Sequence, residues 1–476
     1  MAGQKAKKVT QLKAFLQVGV SFSQISIFDE EQSKKNQNAE PVRFDLLYLP
    51  QEALSASLRK IWQEVGVPER LIVTSRFMEK ILDAKLGGTV AQVVTAGFET
   101  WPILRQPVLP DYFDLKPHRQ APLASKDLVF GLSERVGADG KVLKALDMSE
   151  LEFINSKLKL MGVKRVCVNL LFSQIYPEHQ KRVADFFRQQ DFEVFAFERH
   201  NESCDEMPAW RKNVINACLS GVFSEHAEEI LRSFDGQPVD LQFLDHRGQL
   251  FFADKNQIAG SLFSWLEILK GDFENEADEI LHLGLETWTL LSTRERSLHW
   301  ESSWGRIEVD TPKMIRLKTQ PTLEISPGAW GGLHLSTEEL SYEPGPMCFG
   351  RAQKPMVIDV LNETFNLKLK PIQPQGIRRL QDQLTALAKN IPELSDHNFQ
   401  SLSQALCQQI AQRIAMEAHF HQMHYKKSRK TVLTGHLAPE LFPILKKIWA
   451  SGELLLDPRS KDRLSLALKN HTERIL

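Results

Sequence analysis

Residues 163–172, VKRVCVNLLF, form a mostly apolar stretch with four valines or leucines close together. Residues 177–190 follow with apolar positions at helical spacing, and 192–197, FEVFAF, is apolar again. The expectation is a buried strand, a helix and a second strand, the unit from which parallel α/β sheets are built. Working outward, 71–75 (LIVTS) and 89–96 (TVAQVVTA) read as strands, separated by a helix over 77–85. Further upstream, 14–28 reads as two short strands of a hairpin, 41–50 as another strand and 52–64 as a helix. The polar stretch 30–41, EEQSKKNQNAEP, reads as a loop or a long turn. Strands alternating with helices predict an α/β fold.

Downstream, 102–122 is Pro-rich and irregular, Asp139-Gly140 is a hairpin turn, and Ser149 opens a helix with Glu150 and Glu152 near its positive end. Helices are expected over 207–231, 258–269, 376–389, 396–421 and 437–449. Residues 241–252 read as a hairpin around Arg247-Gly248. Residues 279–292 read as strand, turn and strand, an echo of 18–27 that a pair of related lobes would leave.

Composition bounds the function. The 476 residues carry 59 Lys and Arg against 60 Asp and Glu, a net charge of −1, which argues against a dedicated nucleic-acid binder. Apolar residues make up 42% and charged residues 25%, ordinary globular usage with ample chain for a large core. The five cysteines, 167, 204, 218, 348 and 407, form no C-x-x-C pair and read as buried thiols of a reducing compartment. No apolar run approaches the roughly 18 residues of a membrane span, and the basic start (Lys7, Lys8, Lys13) lacks the apolar stretch of a signal peptide. The expectation is a soluble cytoplasmic protein that binds neither membrane nor nucleic acid.

Local motifs alone give no catalytic constellation. P-loop, nucleophile-elbow, zinc-helix and dinucleotide fingerprints are absent from the sequence. His419, His421 and His424 have spacings that do not share one helical face, so they read as a solvated helix end. His282 reads as a core histidine. Trp265, Trp288 and Trp330 read as packing residues, although Trp288 and Trp330 fall in turns where a pocket can form.

Several segments, taken in order, resemble the alpha-type subunit of the hydantoinase/oxoprolinase family, which includes N-methylhydantoinase, 5-oxoprolinase and acetone carboxylase subunits. The matching segments are 93–106 (VVTAGFETWPILRQ), 111–147, 162–187 and 343–360, the last with Cys348 and Asp359. The resemblance implies two ribonuclease-H-like lobes of the actin and sugar-kinase type with an interlobe cleft, divided here as 1–205 and 206–476. It also implies ATP-dependent opening of a cyclic amide or carboxylation of a ketone, with Mg²⁺ and a beta-type partner subunit. Relatives are longer, so the second lobe is expected to be compacted.

Family members hold Mg-ATP with two Asp-x-Gly-Gly-Thr-x-x-Asp turns, one per lobe. Here the corresponding stretches are Gln17 to Gln24 (QVGVSFSQ) and Leu283 to Leu290 (LGLETWTL). Gln17, Gln24, Leu283 and Leu290 stand at the four carboxylate positions, and Val20 replaces a glycine. An amide carries no charge to hold Mg²⁺. The remaining candidates for the eroded phosphate turns are Gly19, Ser21, Ser23, Glu286, Thr287 and Thr289. Gly331 and Gly332 remain of a Gly-rich loop, and Gly435 of an adenosine-side loop. The resemblance thus implies a pseudoenzyme or binding scaffold with no catalytic residue, no metal and no cofactor. The alternatives are an active ATP-dependent enzyme using Mg²⁺ at a remodelled site and recruiting Glu286, or a metal-free activity in the cleft.

Overall fold

The computed structural model describes residues 12–36, 39–48, 53–84, 86–101, 123–196, 206–302, 305–327, 333–335, 346–369, 372–389, 399–423 and 429–475. The Pro-rich stretch 102–122, Trp330, Gly331, Gly332, His424, Lys7, Lys8 and Cys204 lie outside them.

Two sheets share one topology. In the first, Leu12–Val18 pairs antiparallel with Phe22–Asp29, which pairs antiparallel with Arg43–Tyr48. On the other side, Leu12–Val18 runs parallel to Arg70–Ser75, which runs parallel to Asp240–Leu244. The edge is closed by Leu250–Phe251. In the second sheet, Glu279–Leu283 pairs antiparallel with Trp288–Ser302, and that strand with Gly305–Arg316. On the other side, Glu279–Leu283 runs parallel to Arg429–Thr434, which runs parallel to Gly452–Leu456. Each sheet therefore has the order third, second, first, fourth, fifth strand of its own lobe. These are the two ribonuclease-H-like lobes, and 18–27 and 281–291 are their equivalent first hairpins.

Two insertions decorate this frame. Residues between the fourth and fifth strands of the first lobe build a separate parallel sheet in the order Glu193–Ala196, Arg165–Asn169, Val90–Thr95, Val129–Leu132. The strand, helix and strand expected over 163–197 lie here, with the helix at Glu178–Gln189. The second lobe inserts helices Val357–Phe365, Pro374–Lys389 and Phe399–Gln422 before its fourth strand. The first sheet continues past residue 205 into Asp240–Leu244 and Leu250–Phe251, so the expected division at 205/206 does not follow the sheets. The cause is the insertion, which separates two paired strands by the length of a small domain.

Other expectations shift for local reasons. Glu30–Lys35 is a short helix rather than loop, because the Asp29 carboxylate accepts from the amides of Glu31 and Gln32. The helix expected over 258–269 is broken into Ile258–Ser261 and Ser264–Phe273, with Phe263 at φ 62° between them. The irregular Gly/Pro stretch after 316 contains two short paired strands, Ile325–Pro327 and Leu333–Leu335.

The core is continuous across the lobes. Phe15, Ile72 and Phe243 of the first sheet pack in one cluster with Ile280, Leu291 and Val432 of the second, and with Leu464 and Leu468 of the last helix, Arg463–Ile475. That helix is also tied polar-wise to the first lobe. The Ser26 hydroxyl donates to Ser465 Oγ at 2.8 Å, and Gln24 Nε2 donates to the same oxygen at 3.1 Å. In return, Phe22 of the first lobe enters the second lobe's core, edge-on to Phe349 with ring centres 6.0 Å apart.

Leu468 is 1% exposed, so Leu468→Ala leaves a void in the shared core. The expected loss is about 2–5 kcal/mol, read by urea unfolding. A loss below about 1 kcal/mol would show that the last helix is not docked on the first lobe.

Candidate functional site

The two equivalent hairpins meet turn to turn. In the first lobe, the last paired residues are Gln17 and Gln24, so 18–23 form the turn region. In the second, Leu283 pairs with Trp288, leaving Gly284, Leu285, Glu286 and Thr287 as the turn. This second turn is closed by Gly284 N donating to Thr287 O at 3.2 Å and by the Trp288 indole donating to Gly284 O at 2.9 Å.

Glu286 reaches across the cleft. Its carboxylate accepts from the backbone amides of Val20 at 3.0 Å, Phe22 at 2.8 Å and Ser21 between them. Successive amides converging on one anion form a concave anion cradle. The carboxylate is 7% exposed, so its charge is compensated by these donors rather than by bulk water. Gly19 makes the approach possible. A Cβ there would lie 2.2 Å from Phe22 O and 2.4 Å from Glu286 Oε2. Gly19 N in turn donates to Ser23 Oγ at 3.3 Å, inside its own hairpin.

Arg76 supplies the positive charge beneath this contact. It follows the fourth strand of the first lobe, and its amide donates to Val18 O at 2.8 Å. The guanidinium stacks over Trp265 at 3.9 Å and donates from Nη2 to His282 Nε2 at 3.0 Å. With its amide oxygen turned inward, Gln17 accepts from Arg76 Nε at 2.8 Å and Nη2 at 3.0 Å. Burial pushes the guanidinium pKa down to about 10, and Glu79 and Glu286 oppose that fall. Accepting from Arg76 requires a neutral His282. Burial lowers the His282 pKa well below its usual value, and the Arg76 charge lowers it further. Burial likewise pushes His436, at the rim, down to about 4.

The space left between the lobes is small. Gln17, Gly19, Arg76, His282, Glu286 and Gly435 are among its walls, and the cavity volume is about 60 Å³. That holds a handful of waters. Small-molecule sites run to several hundred Å³.

The expected site residues separate on this geometry. Gly19, Ser21, Ser23 and Glu286 come together at the turn contact, and Thr287 belongs to the same second turn. Thr289 is buried within the second sheet, opposite His282, with no hydrogen-bond partner for its hydroxyl among the described residues. Gly435 has φ 104°, and a Cβ there would lie 2.5 Å from Leu283 O, so it serves close packing of the second lobe. Trp288 is fully buried in the second lobe's core rather than lining the cleft. Asp359 is not among the walls of the cleft either. It caps helix Val357–Phe365 and accepts from the amides of Met347, Cys348 and Met356. Cys348 is a packed thiol whose pKa burial raises. Arg76, Trp265 and the amides of Val20 and Phe22 escaped the sequence reading as site groups. An arginine after a strand and the amides of apolar residues carry no motif.

The residues at the two turns offer no carboxylate free to hold Mg²⁺: Gln17, Gln24, Leu283 and Leu290 bear none, and Glu286 is committed to the anion cradle. Among the described residues, no group of three or more His, Cys, Asp or Glu is placed to hold a metal ion. No helix among them is long and apolar enough to cross a membrane.

Two tests follow from the packing and the charges. Gly19→Ala is expected to destabilise by about 1–3 kcal/mol, because the cradle and Glu286 must separate. Gly271→Ala, where a Cβ meets nothing within 4 Å in a helix, is expected to be neutral or stabilising by up to about 1 kcal/mol. Equal losses in urea melts would refute the contact. His282 and His436 are held neutral, so the unfolded chain binds more protons than the folded one in acid. Their stabilisation is complete above about pH 6.5 and is lost as pH falls toward His436's value of about 4. Urea midpoints between pH 7 and 4.5 are expected to fall, and His436→Gln to flatten the fall.

Comparison with known proteins agrees with the fold. Residues 53–190 match the model of the hydantoinase/oxoprolinase N-terminal region. The acetophenone carboxylase gamma subunit of Aromatoleum aromaticum is 32% identical over 76 residues, 15% of this chain and 10% of that protein. An uncharacterized protein of Methanocaldococcus jannaschii is 20% identical over 300 residues, 57% of this chain and 44% of that one. The chain thus spans under half the length of the curated relatives it matches. Nucleotide-free acetone carboxylase superposes with TM-score 0.76 at 13% identity, over 97% of this chain and 70% of that one. The ATP-dependent caprolactamase of Pseudomonas jessenii gives 0.68 at 16%, over 96% and 70%. At such identities the two structures establish the shared fold alone. Residues 53–190 thus match a hydantoinase/oxoprolinase N-terminal region, and the chain shares its fold with these two structures.

Proposed function

We propose that this chain is a non-catalytic scaffold of its family, in which the interlobe cleft is closed by an internal anion instead of opening for a nucleotide. The observation that carries this reading is the Glu286 carboxylate seated on the amides of Val20, Ser21 and Phe22. A phosphate needs those same donors, and it would meet a like charge already bound there. The absent turn carboxylates and the 60 Å³ cavity point the same way. Its work is then to bind a protein. The relative from Aromatoleum aromaticum is a subunit of a carboxylase, and a beta-type hydantoinase subunit is the proposed partner.

Calorimetric titration with ATP, with and without Mg²⁺, tests the reading. No heat is expected up to about 1 mM nucleotide, a ceiling of about −4 kcal/mol on binding. The double variant Gln17→Asp with Val20→Gly is also expected to stay silent, because Glu286 still fills the cradle. Tight binding that strengthens with Mg²⁺ would overturn the scaffold and favour an active ATP-dependent cyclic-amide hydrolase or carboxylase subunit.

A further inference from the structure

Helix Phe399–Gln422 of the second lobe turns its inner face to the core through Leu406, Ile410, Ile414 and Ala418. Its outer face ends in an apolar ridge. Met416 is 70% exposed and Phe420 64%. Met423, whose amide still donates to His419 O, is 66% exposed. At about 100° per residue, Phe420 lies about 40° to one side of Met416 and Met423 about 20° to the other. The three side chains therefore share one stripe, about 10 Å long. A lone exposed apolar residue is ordinary, but three large ones in register mark a surface that something covers. Methionine suits such a surface, because its unbranched side chain repacks against the partner.

The polar surround selects the partner by charge. Glu417 is the single acid of the helix, and its charge is spent inside the molecule. Its carboxylate accepts from the amides of Lys318 and Thr319 and from the Thr319 hydroxyl. That contact brings Lys318 to this flank of the ridge, exposed and with no acidic partner among the described residues. On the other flank, His419 Nδ1 meets Ser451 Oγ, three residues beyond helix Ala438–Ile448. The last turn of that helix exposes Lys447, again with no acidic partner among the described residues. Glu453 is an exposed acid near this flank, and its neighbour across the sheet is Lys430. Upstream, the exposed positions Gln404, Gln408 and Gln412 carry no charge. The ridge is thus bordered by a cation on each flank, while the nearby acids are bonded internally or face a lysine.

We infer that this ridge docks an acidic amphipathic helix of a partner protein. The partner's apolar face would pack on Met416, Phe420 and Met423, and its carboxylates would meet Lys318 on one flank and Lys447 on the other. The assignment rests on the reading that this chain works by binding a protein. None of its residues borders the interlobe cavity.

The test is calorimetric titration of the full chain with a synthetic peptide of about 18 residues, helical, with leucine on one face and glutamate on the rest. Saturable binding is expected with a Kd of about 10–100 μM. It is expected to weaken severalfold between about 50 and 300 mM salt. Met416→Ser and Phe420→Ser are each expected to weaken it about tenfold. Lys318→Glu with Lys447→Glu is expected to weaken it about tenfold and to favour the same peptide with lysine in place of glutamate. All four side chains are exposed, so melting temperatures are expected to stay within a few degrees of the parent. Leu160→Ser, at an exposed leucine of the inserted sheet's helix, is expected to leave binding unchanged. No saturable heat up to about 1 mM peptide overturns the assignment. So does equal binding of a peptide with its leucines scrambled around the helix, or undiminished binding by Phe420→Ser. Adsorption to phosphatidylserine vesicles, or a dimer in sedimentation, that Phe420→Ser abolishes would also overturn it, giving the ridge to a membrane or to a second copy. Silence toward the peptide leaves the nucleotide titration as it was, and nucleotide binding would overturn the scaffold without moving peptide affinity, so the two failures are told apart.

Discussion

One carboxylate sets the relation of the two lobes. Glu286 is carried on a turn of the second lobe, and all three of its donors belong to a turn of the first. A charge taken out of water must be matched by fixed donors, or it neutralises or returns to water. Here the match is made by backbone amides, which cannot rotate away as side chains do. The contact therefore dictates a close approach of two hairpins, and that approach dictates the rest. Gly19 must lack a Cβ, Phe22 is delivered into the second lobe's core, and Arg76 is buried below against Trp265. The continuous core through Ile280 and Leu468 follows from the same closure.

A tethered anion has an advantage over a free one. Because the Glu286 carboxylate is fixed opposite the cradle, it competes as an intramolecular ligand at an effective concentration in the millimolar range or above. A free phosphate must displace it and also separate lobes joined by apolar packing and by the bonds from Ser465 to Gln24 and Ser26. Hydrogen bonds to a charged group are worth about 1.5–3 kcal/mol each, so three of them form a substantial barrier to opening. The same geometry explains why Arg76 tolerates burial. Gln17 and His282 satisfy its guanidinium as neutral acceptors, Trp265 offers a π face, and Glu286 provides long-range compensation.

Much of the frame was legible because it rests on local periodicity. The alternation of apolar runs gave the strands of the first lobe and the unit at 163–197, and the echo of 18–27 in 281–291 marked equivalent hairpins. The division at residue 205 was not legible. An inserted sheet separates Arg70–Ser75 from its partner Asp240–Leu244, and strand pairing over that distance leaves no periodic trace. The long strands Trp288–Ser302 and Gly305–Arg316 were missed as a pair because the polar run 293–297 interrupts the first, which hides the alternation of Leu298 and Trp300 and its match to Ile307 and Val309. Glu286 was visible as an acid out of place, yet its donors lie 264 to 266 residues away and are backbone groups. No residue type announces a backbone donor, so sequence can flag the anion and not the cradle.

The inserted sheet has a physical autonomy that the lobes lack. Val93, Val166, Val168, Val183 and Phe187 form an apolar cluster of their own, apart from the core that joins the lobes. Parallel strands need both faces covered, and here helices Ser149–Leu160 and Glu178–Gln189 contribute to that cluster. The packing of the inserted sheet therefore does not pass through the Glu286 contact, and the closure of the two lobes on each other leaves its apolar cluster intact.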